Sequence, residues 1–364
     1  MKCHLVYSVP YVGGRIKKGV RKIKVILQRA GFPISVIGDR EKIDTSFWPI
    51  SAPSTITKHL YEYFSSKMPT ILYHLNERIN IRFEPDDIFI GTPFFPFTLG
   101  KSGVTDLSIQ SNICPKVFAL IAPLHCNIDI KTKHINKDYL ASIVHLMNKA
   151  DILFAIMGKY WWDQWDHSPY THWKPKMIRL DMAVDVRDFP RVKKRFNPKG
   201  ERGFLYIGNS DPVKGIDFLI KLASCLKEFS FGYIGHGKDI PGVRRISTGR
   251  PLTPEFMSEV AKHFDFFITT GVADANPTTI LESMAWGFPV ICTPQSGYYE
   301  TEYLKNVFHE DIEKSIGVLH ELQFMEENEL ITMADKARAV VETEYNWDKF
   351  LNTIWKTLEN EGVI

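Results

Sequence analysis

The sequence predicts an α/β chain of two doubly wound, parallel-sheet domains, and three observations lead there. At 364 residues the chain is longer than one compact core usually grows. Short apolar runs bounded by turn residues alternate with segments of helical period, the pattern of βαβ units. The alternation stops at a polar stretch, 187–202, holding Pro190 and Pro198, and then restarts. Two Rossmann-like halves facing across a cleft are therefore expected, with residues 1–186 as the first.

Residues 3–9 read as a buried strand, Val12-Gly13-Gly14 as a tight loop, 16–30 as a helix stopped by Gly31, and 33–38 as the next strand. Glycines in such a loop let backbone N–H groups approach a ligand at a helix N-terminus. Further strands are expected at 87–91, 117–122, 152–155 and 177–179. Residues 187–202 read as an interdomain linker.

The second domain, 203–345, begins with a strand at 203–207 and a helix at 215–229. A strand at 230–234, a helix at 256–263 and a strand at 265–269 follow. A helix at 277–286 and a strand at 289–292 complete the unit. Asn346 is a good cap for a last helix, 347–359, and residues 346–364 are expected to return to the first domain.

Composition narrows the class. Apolar residues make up 44% and charged residues 24%, which fits a folded globular chain rather than a disordered one. The first ten residues carry one early charge and an apolar run stopped by Pro10, too little for a signal peptide. No stretch reaches the roughly 18 apolar residues of a spanning helix. Cys3, Cys114, Cys126, Cys225 and Cys292 lack paired spacing, so neither disulfides nor a zinc site is expected and a cytoplasmic compartment is the natural one. A net charge of +3 argues against a nucleic-acid binder.

Four features of the second half fall in one order, each at the end of an expected strand. They are the run from Gly208 and Asn209 to Lys214 and Gly215, Gly235-His236-Gly237, Ser247-Thr248-Gly249-Arg250, and the segment from Asp274 through Glu282 to Val290. Backbone donors, a lysine and two carboxylates thus gather at one edge of a parallel sheet. That set suits a diphosphate diester with about two negative charges, a ribose and a sugar. Lys214 supplies a cation, and a helix starting after Asn276, with Asn276 as cap and Pro277 first in the helix, aims the N–H groups of Thr278 and Thr279 at phosphate. Glu282 can accept ribose hydroxyls, and Asp274 can orient the sugar.

On these residues the chain resembles the family 4 retaining glycosyltransferases of GT-B architecture. Their signature is two acids eight residues apart, here Asp274 and Glu282, followed by Ala-x-Gly-x-Pro-Val, here Ala285 to Val290. The resemblance is strong over 203–300 and orderly elsewhere, at Gly13-Gly14, His125, Ala183-Val184-Asp185 and Tyr345-Asn346-Trp347-Asp348. It implies a nucleoside-diphosphate sugar as co-substrate, no other cofactor, no metal, and a glycan or lipid-linked acceptor. Lys214 would hold the diphosphate, Glu282 the ribose, Asp274 the hexose hydroxyls, and His125 would stand beside the anomeric carbon, with Gly13 and Gly14 closing over the phosphates. Two positions depart from the family: Asn209 stands where arginine is usual, and Asp274 where glutamate is usual.

Plainer readings compete. His125 could be a core histidine, and Lys214-Gly215 alone a surface turn. The other histidines lack ligand spacing, and Asp86-Asp87 reads as a turn rather than a metal motif. Lys17, Lys18, Arg21, Lys22 and Lys24 share one face of the 16–30 helix, opposite Val20, Ile23, Ile26, Leu27 and Ala30. That face suits water, or anionic lipid headgroups and hence a peripheral place at the inner membrane face. The aromatic run 160–165, with Tyr170 and Trp173, suits core packing or an acceptor. A sugar-nucleotide epimerase or hydrolase, and a non-catalytic sugar-nucleotide binder, are the rival functions.

Overall fold

A computed structural model of the chain describes residues 1–7, 52–74, 84–91, 116–121, 124–132, 144, 147, 148, 150–249 and 251–364. Two six-stranded sheets organise them, and every named strand pair is parallel. The first contains β1 (Cys3–Tyr7), β2 (Thr70–His74), β3 (Ile88–Gly91), β4 (Lys116–Ile121), β5 (Ile152–Ile156) and β6 (Met177–Leu180), in the order β2-β1-β3-β4-β5-β6. Helices α1 (Ala52–Ser65), α2 (Leu124–Thr132) and α3 (Lys159–Gln164) belong to the same half of the chain.

The second sheet contains β7 (Gly203–Ile207), β8 (Ser230–Ile234), β9 (Arg244–Ser247), β10 (Phe266–Thr269), β11 (Val290–Cys292) and β12 (Leu304–Asn306). Its order, β12-β11-β10-β7-β8-β9, reverses direction between β7 and β10. At such a switch point the loops leaving the two strands part, and the crevice left at their carboxyl ends is where open α/β sheets take ligands. The inner strands β7, β8, β10 and β11 are mostly apolar runs because helices cover the sheet faces. Phe204 stacks between Phe231 and Phe266, with ring centroids 5.2 and 5.1 Å away.

Around this sheet run α4 (Ile216–Cys225), α5 (Pro254–Val260), α6 (Thr278–Trp286), α7 (Ile312–Phe324) and α8 (Glu327–Glu344). The last helix, α9 (Trp347–Asn360), starts where the Asn346 side chain accepts the Lys349 N–H at 2.9 Å. It packs on α1: Trp347 stacks on His59 at 4.1 Å, Trp355 meets the rings of Tyr63 and Phe64, and the Tyr63 hydroxyl donates to Asn352 at 2.8 Å.

The polar stretch before β7 is largely exposed but is pinned to the second half at two buried cations. Lys193 is 2% exposed, and its ammonium donates to the Asp265 carboxylate and the Ala261 carbonyl, both at 2.7 Å. Arg202, equally buried, donates to the carbonyls of Leu322, Gln323 and Met325 at the end of α7. Two of the charges in this stretch, Lys193 and Arg202, therefore serve as buried anchors, while Arg187, Lys194, Arg195 and Lys199 are exposed. Asp87 likewise turns inward, accepting the N–H groups of Lys2 and Glu84 and pairing with His4 at 3.0 Å.

Candidate functional site

Three strand-end loops close on one another at the carboxyl edge of the second sheet. The Gly208 N–H donates to Ile234 O at 2.9 Å, and a side chain at Gly235 would overlap the Gly208 carbonyl oxygen. The Ser210 N–H donates to His236 O at 3.2 Å, and the Ser210 hydroxyl accepts the Lys238 N–H at 3.0 Å. Gly249 lies against the His236 ring. Asn209 is exposed in this layer, and its side-chain oxygen accepts the Asp211 N–H at 3.3 Å.

On the other side of the switch point the loop carrying Lys214 is fastened to the loop carrying Asp274. The Thr270 hydroxyl donates to Gly215 O at 2.9 Å and Lys214 O at 3.2 Å, and the Val272 N–H donates to Val213 O at 3.0 Å. Gly215 has φ 66°, and any Cβ there would run into the Thr270 carbonyl oxygen, so both the conformation and the approach need glycine. The outcome is a direct ion pair between the Lys214 ammonium and the Asp274 carboxylate, both partly buried.

The Asp274 loop is also tied to the first half of the chain. The Trp161 indole N–H lies 2.8 Å from Asp274 O and 3.0 Å from Gln295 O, and the Gly158 N–H donates to Ala275 O at 3.1 Å. Gly158 itself presses on Gly297, with no room for a Cβ between them. Trp161 entered the sequence reading only as part of an aromatic run suited to core or acceptor, and Gly158 not at all, because the partners that tie them to this loop lie more than a hundred positions away.

The expectation for Asn276 is corrected here. Pro277, not Asn276, is the N-cap of α6, and no side chain caps that end. Asn276 is buried and turned away: its carbonyl oxygen accepts the Met182 N–H at 2.8 Å and the Tyr298 hydroxyl at 3.3 Å. It therefore bridges the two halves instead of capping a helix. Ile280 N–H bonds back to Pro277 O at 3.2 Å, and the N–H groups of Thr278 and Thr279 precede it at the open first turn, where helix geometry supplies no internal acceptor.

Glu282 sits one turn into α6 with its carboxylate near the Thr278 hydroxyl. Burial pushes this carboxyl above its ordinary range, and the hydrogen bond from Thr278 offsets part of the rise. Among the described residues no cation forms an ion pair with it. A carboxylate held at this cost beside an open helix N-terminus marks a place where a ligand can supply the missing partners. His309, unforeseen in the sequence, stands behind the Lys214 loop: its Nε2 is 3.4 Å from Gly271 O, its ring 4.5 Å from Phe218, and burial lowers its pKa, favouring the neutral ring.

His125 falls in the first turn of α2. The next residues dock that helix on the aromatic cluster: Asn127 accepts the Trp165 indole N–H at 3.0 Å, and Asp129 accepts the Tyr170 hydroxyl at 2.8 Å. Trp161, Trp165, Tyr170 and Trp173 are all buried, so the greater part of this aromatic run is core. Gly13, Gly14, Lys17, Lys18, Arg21, Lys22 and Arg250 lie outside the described residues.

No protein-family model matches the chain, and no curated protein matches it in sequence. Solved structures do match it in fold. Sucrose-phosphate synthase from Thermosynechococcus elongatus aligns with a TM-score of 0.63 at 12% identity, over 99% of this chain and 99% of its own. WaaG, a glycosyltransferase involved in lipopolysaccharide biosynthesis, aligns with a TM-score of 0.52 at 14% identity, over 98% of this chain and 99% of its own. TarM aligns with a TM-score of 0.56 at 17% identity over 76% of this chain and 55% of its own, so the chain spans about half the length of that protein. These neighbours share the two-domain, Rossmann-like GT-B architecture, and that is the fold of this chain.

Proposed function

We propose that this chain is a glycosyltransferase that moves a hexose-like sugar from a nucleoside-diphosphate donor to a hydroxyl of a glycan or lipid-linked acceptor, with retention at the anomeric carbon. The observation that carries the reading is that Lys214, ion-paired to Asp274, the open N-terminus of α6, and the Glu282 carboxylate, which has no ion-pair partner among the described residues, follow strand ends at the switch point of the second sheet. The likeness in fold to sucrose-phosphate synthase and WaaG supports it, as does a structure of TarM from S. aureus that holds UDP and alpha-GlcNAc-glycerol.

The leaving group in this reaction is a diphosphate, whose negative charge grows as the glycosidic bond breaks. Lys214 and the N–H groups of Thr278 and Thr279 would meet that charge, an effect largest in the transition state and one that needs no metal. Glu282 would accept ribose hydroxyls and Asp274 sugar hydroxyls, while His125 would face the anomeric centre. Asn209 would line the same strand-end layer and give up the second cation that the resemblance leads one to expect.

Calorimetry with UDP, GDP, ADP and dTDP tests the site. Lys214→Ala and Glu282→Ala should each weaken binding of the preferred nucleotide by roughly 1.5–3 kcal/mol. Unchanged affinity in both variants would move the site elsewhere. His125→Ala should lower turnover far more than donor affinity, and EDTA should leave turnover intact. A non-catalytic binder is the second reading, favoured by the Asp274 carboxylate already neutralising Lys214. Slow hydrolysis of a nucleotide sugar in water would exclude it.

A further inference from the structure

The Lys214–Asp274 ion pair joins two groups that the proposed reaction would use on different parts of the donor. Lys214 is 27% and Asp274 13% exposed, and among the described residues neither side chain has another ion-pair partner. The backbone around both is fixed. The Asp274 and Ala275 carbonyls accept from Trp161 and Gly158, and the Val213, Lys214 and Gly215 carbonyls accept from Val272 and Thr270. What remains free to change is the side chains of the pair, and the shorter Asp274 can leave the contact by a single rotation while Lys214 stays in the crevice. A diphosphate arriving at Lys214 brings about two negative charges to a cation that a carboxylate already holds, and the two anions repel at this range.

We propose that Asp274 is an internal counter-anion that holds Lys214 in the empty site and is displaced by the donor diphosphate, so that its carboxylate turns toward the sugar only when the diphosphate is seated. The inference rests on the reading of this crevice as a nucleotide-sugar site. Diphosphate capture and sugar recognition are then coupled by one side-chain rotation, with no loop movement. The competition lowers affinity for a bare nucleoside diphosphate, which gains Lys214 but offers no sugar hydroxyls to the released carboxylate.

Calorimetry on wild type, Asp274→Asn, Lys214→Ala and the double variant decides it, using whichever of UDP, GDP, ADP and dTDP binds best. Asp274→Asn should bind the bare nucleoside diphosphate roughly five-fold tighter, as expected for losing a competing, partly exposed ion pair. In the Lys214→Ala background the same change should give little or no gain. An equal gain in both backgrounds would mean plain charge repulsion and overturn the proposal, as would no gain in either. If Lys214→Ala weakens binding while Asp274→Asn changes nothing, the site reading stands and this inference alone falls. If none of the four nucleotides binds wild type, both fall. Asp274→Ser provides the same comparison should the asparagine variant fail to fold.

Discussion

The Trp161 indole N–H donates to the carbonyl oxygen of Asp274 across 113 positions of sequence, at 2.8 Å. One buried donor from the first half thereby sets the position of a residue at the mouth of the second sheet, and shares its proton with Gln295 O on the neighbouring loop.

Trp161→Phe should therefore cost both stability and donor binding. It removes the donor from two carbonyls and leaves a cavity in a core where Trp161 is 1% exposed. A loss of about 2–4 kcal/mol is expected, read as a melting temperature lower by several degrees. An unchanged melting temperature would mean that neither carbonyl needs the indole.

Glu282→Gln should stabilise the empty protein while weakening nucleotide binding. A carboxyl whose folded pKa is raised above its ordinary 4.5 destabilises the fold when ionised, fully so above the raised value and not at all below 4.5. The variant should melt higher at pH 7, and the difference should shrink as pH falls toward 4.5. Thermal scans across that range check the sign. A variant that melts lower at neutral pH would show that the carboxylate has a stabilising partner.

Gly215→Ala tests the join between the two site loops. The new Cβ meets the Thr270 carbonyl oxygen in a left-handed backbone conformation, so a cost of roughly 1–3 kcal/mol is expected. Nucleotide affinity should fall with it, because Lys214 is the preceding residue. Calorimetry and thermal unfolding of the same preparation report both.

Lys193→Met should destabilise strongly, by about 3 kcal/mol or more, because it strands the Asp265 carboxylate, which is 0% exposed. Adding Asp265→Asn should restore part of the loss. A neutral single variant would mean that the N–H groups of Asn197 and Gly203, which also reach Asp265, satisfy it alone.

Liposome binding tests the basic face expected on the 16–30 helix. Replacing Lys17, Lys18, Arg21 and Lys22 by glutamine should abolish any preference for phosphatidylglycerol liposomes at low salt and leave nucleotide affinity unchanged. Wild type that ignores charged liposomes would make that face a solvated surface.

The second sheet was the most legible part of the sequence, because its inner strands are apolar runs with a turn at each end. Strands β7 and β8 have the predicted limits, and α6 and α9 lie within a residue or so of theirs. Edge strands were not legible: Arg244–Ser247 is half-exposed and polar, and Leu304–Asn306 is too short to show a period. Helix Ala52–Ser65 was missed because Thr, Ile, Tyr and Phe crowd it, residues that favour strands when packing does not decide. The order Lys214, Asp274, Glu282 was visible because each follows a strand end. The contacts that fix the site were not, since Asn276 looks like a cap until Met182, 94 positions away, claims its side chain.

The return of α9 to α1 means that the polypeptide passes between the two halves twice, once on leaving β6 and again on leaving α8. The passages touch, with the Val184 N–H donating to Tyr345 O at 3.0 Å. Two adjacent crossings of the chain limit how far one half can move from the other. Met182, two residues before Val184, is held by Asn276, and Trp161 and Gly158 reach across to Asp274 and Ala275, so a turn of one half against the other must either keep these hydrogen bonds or break them.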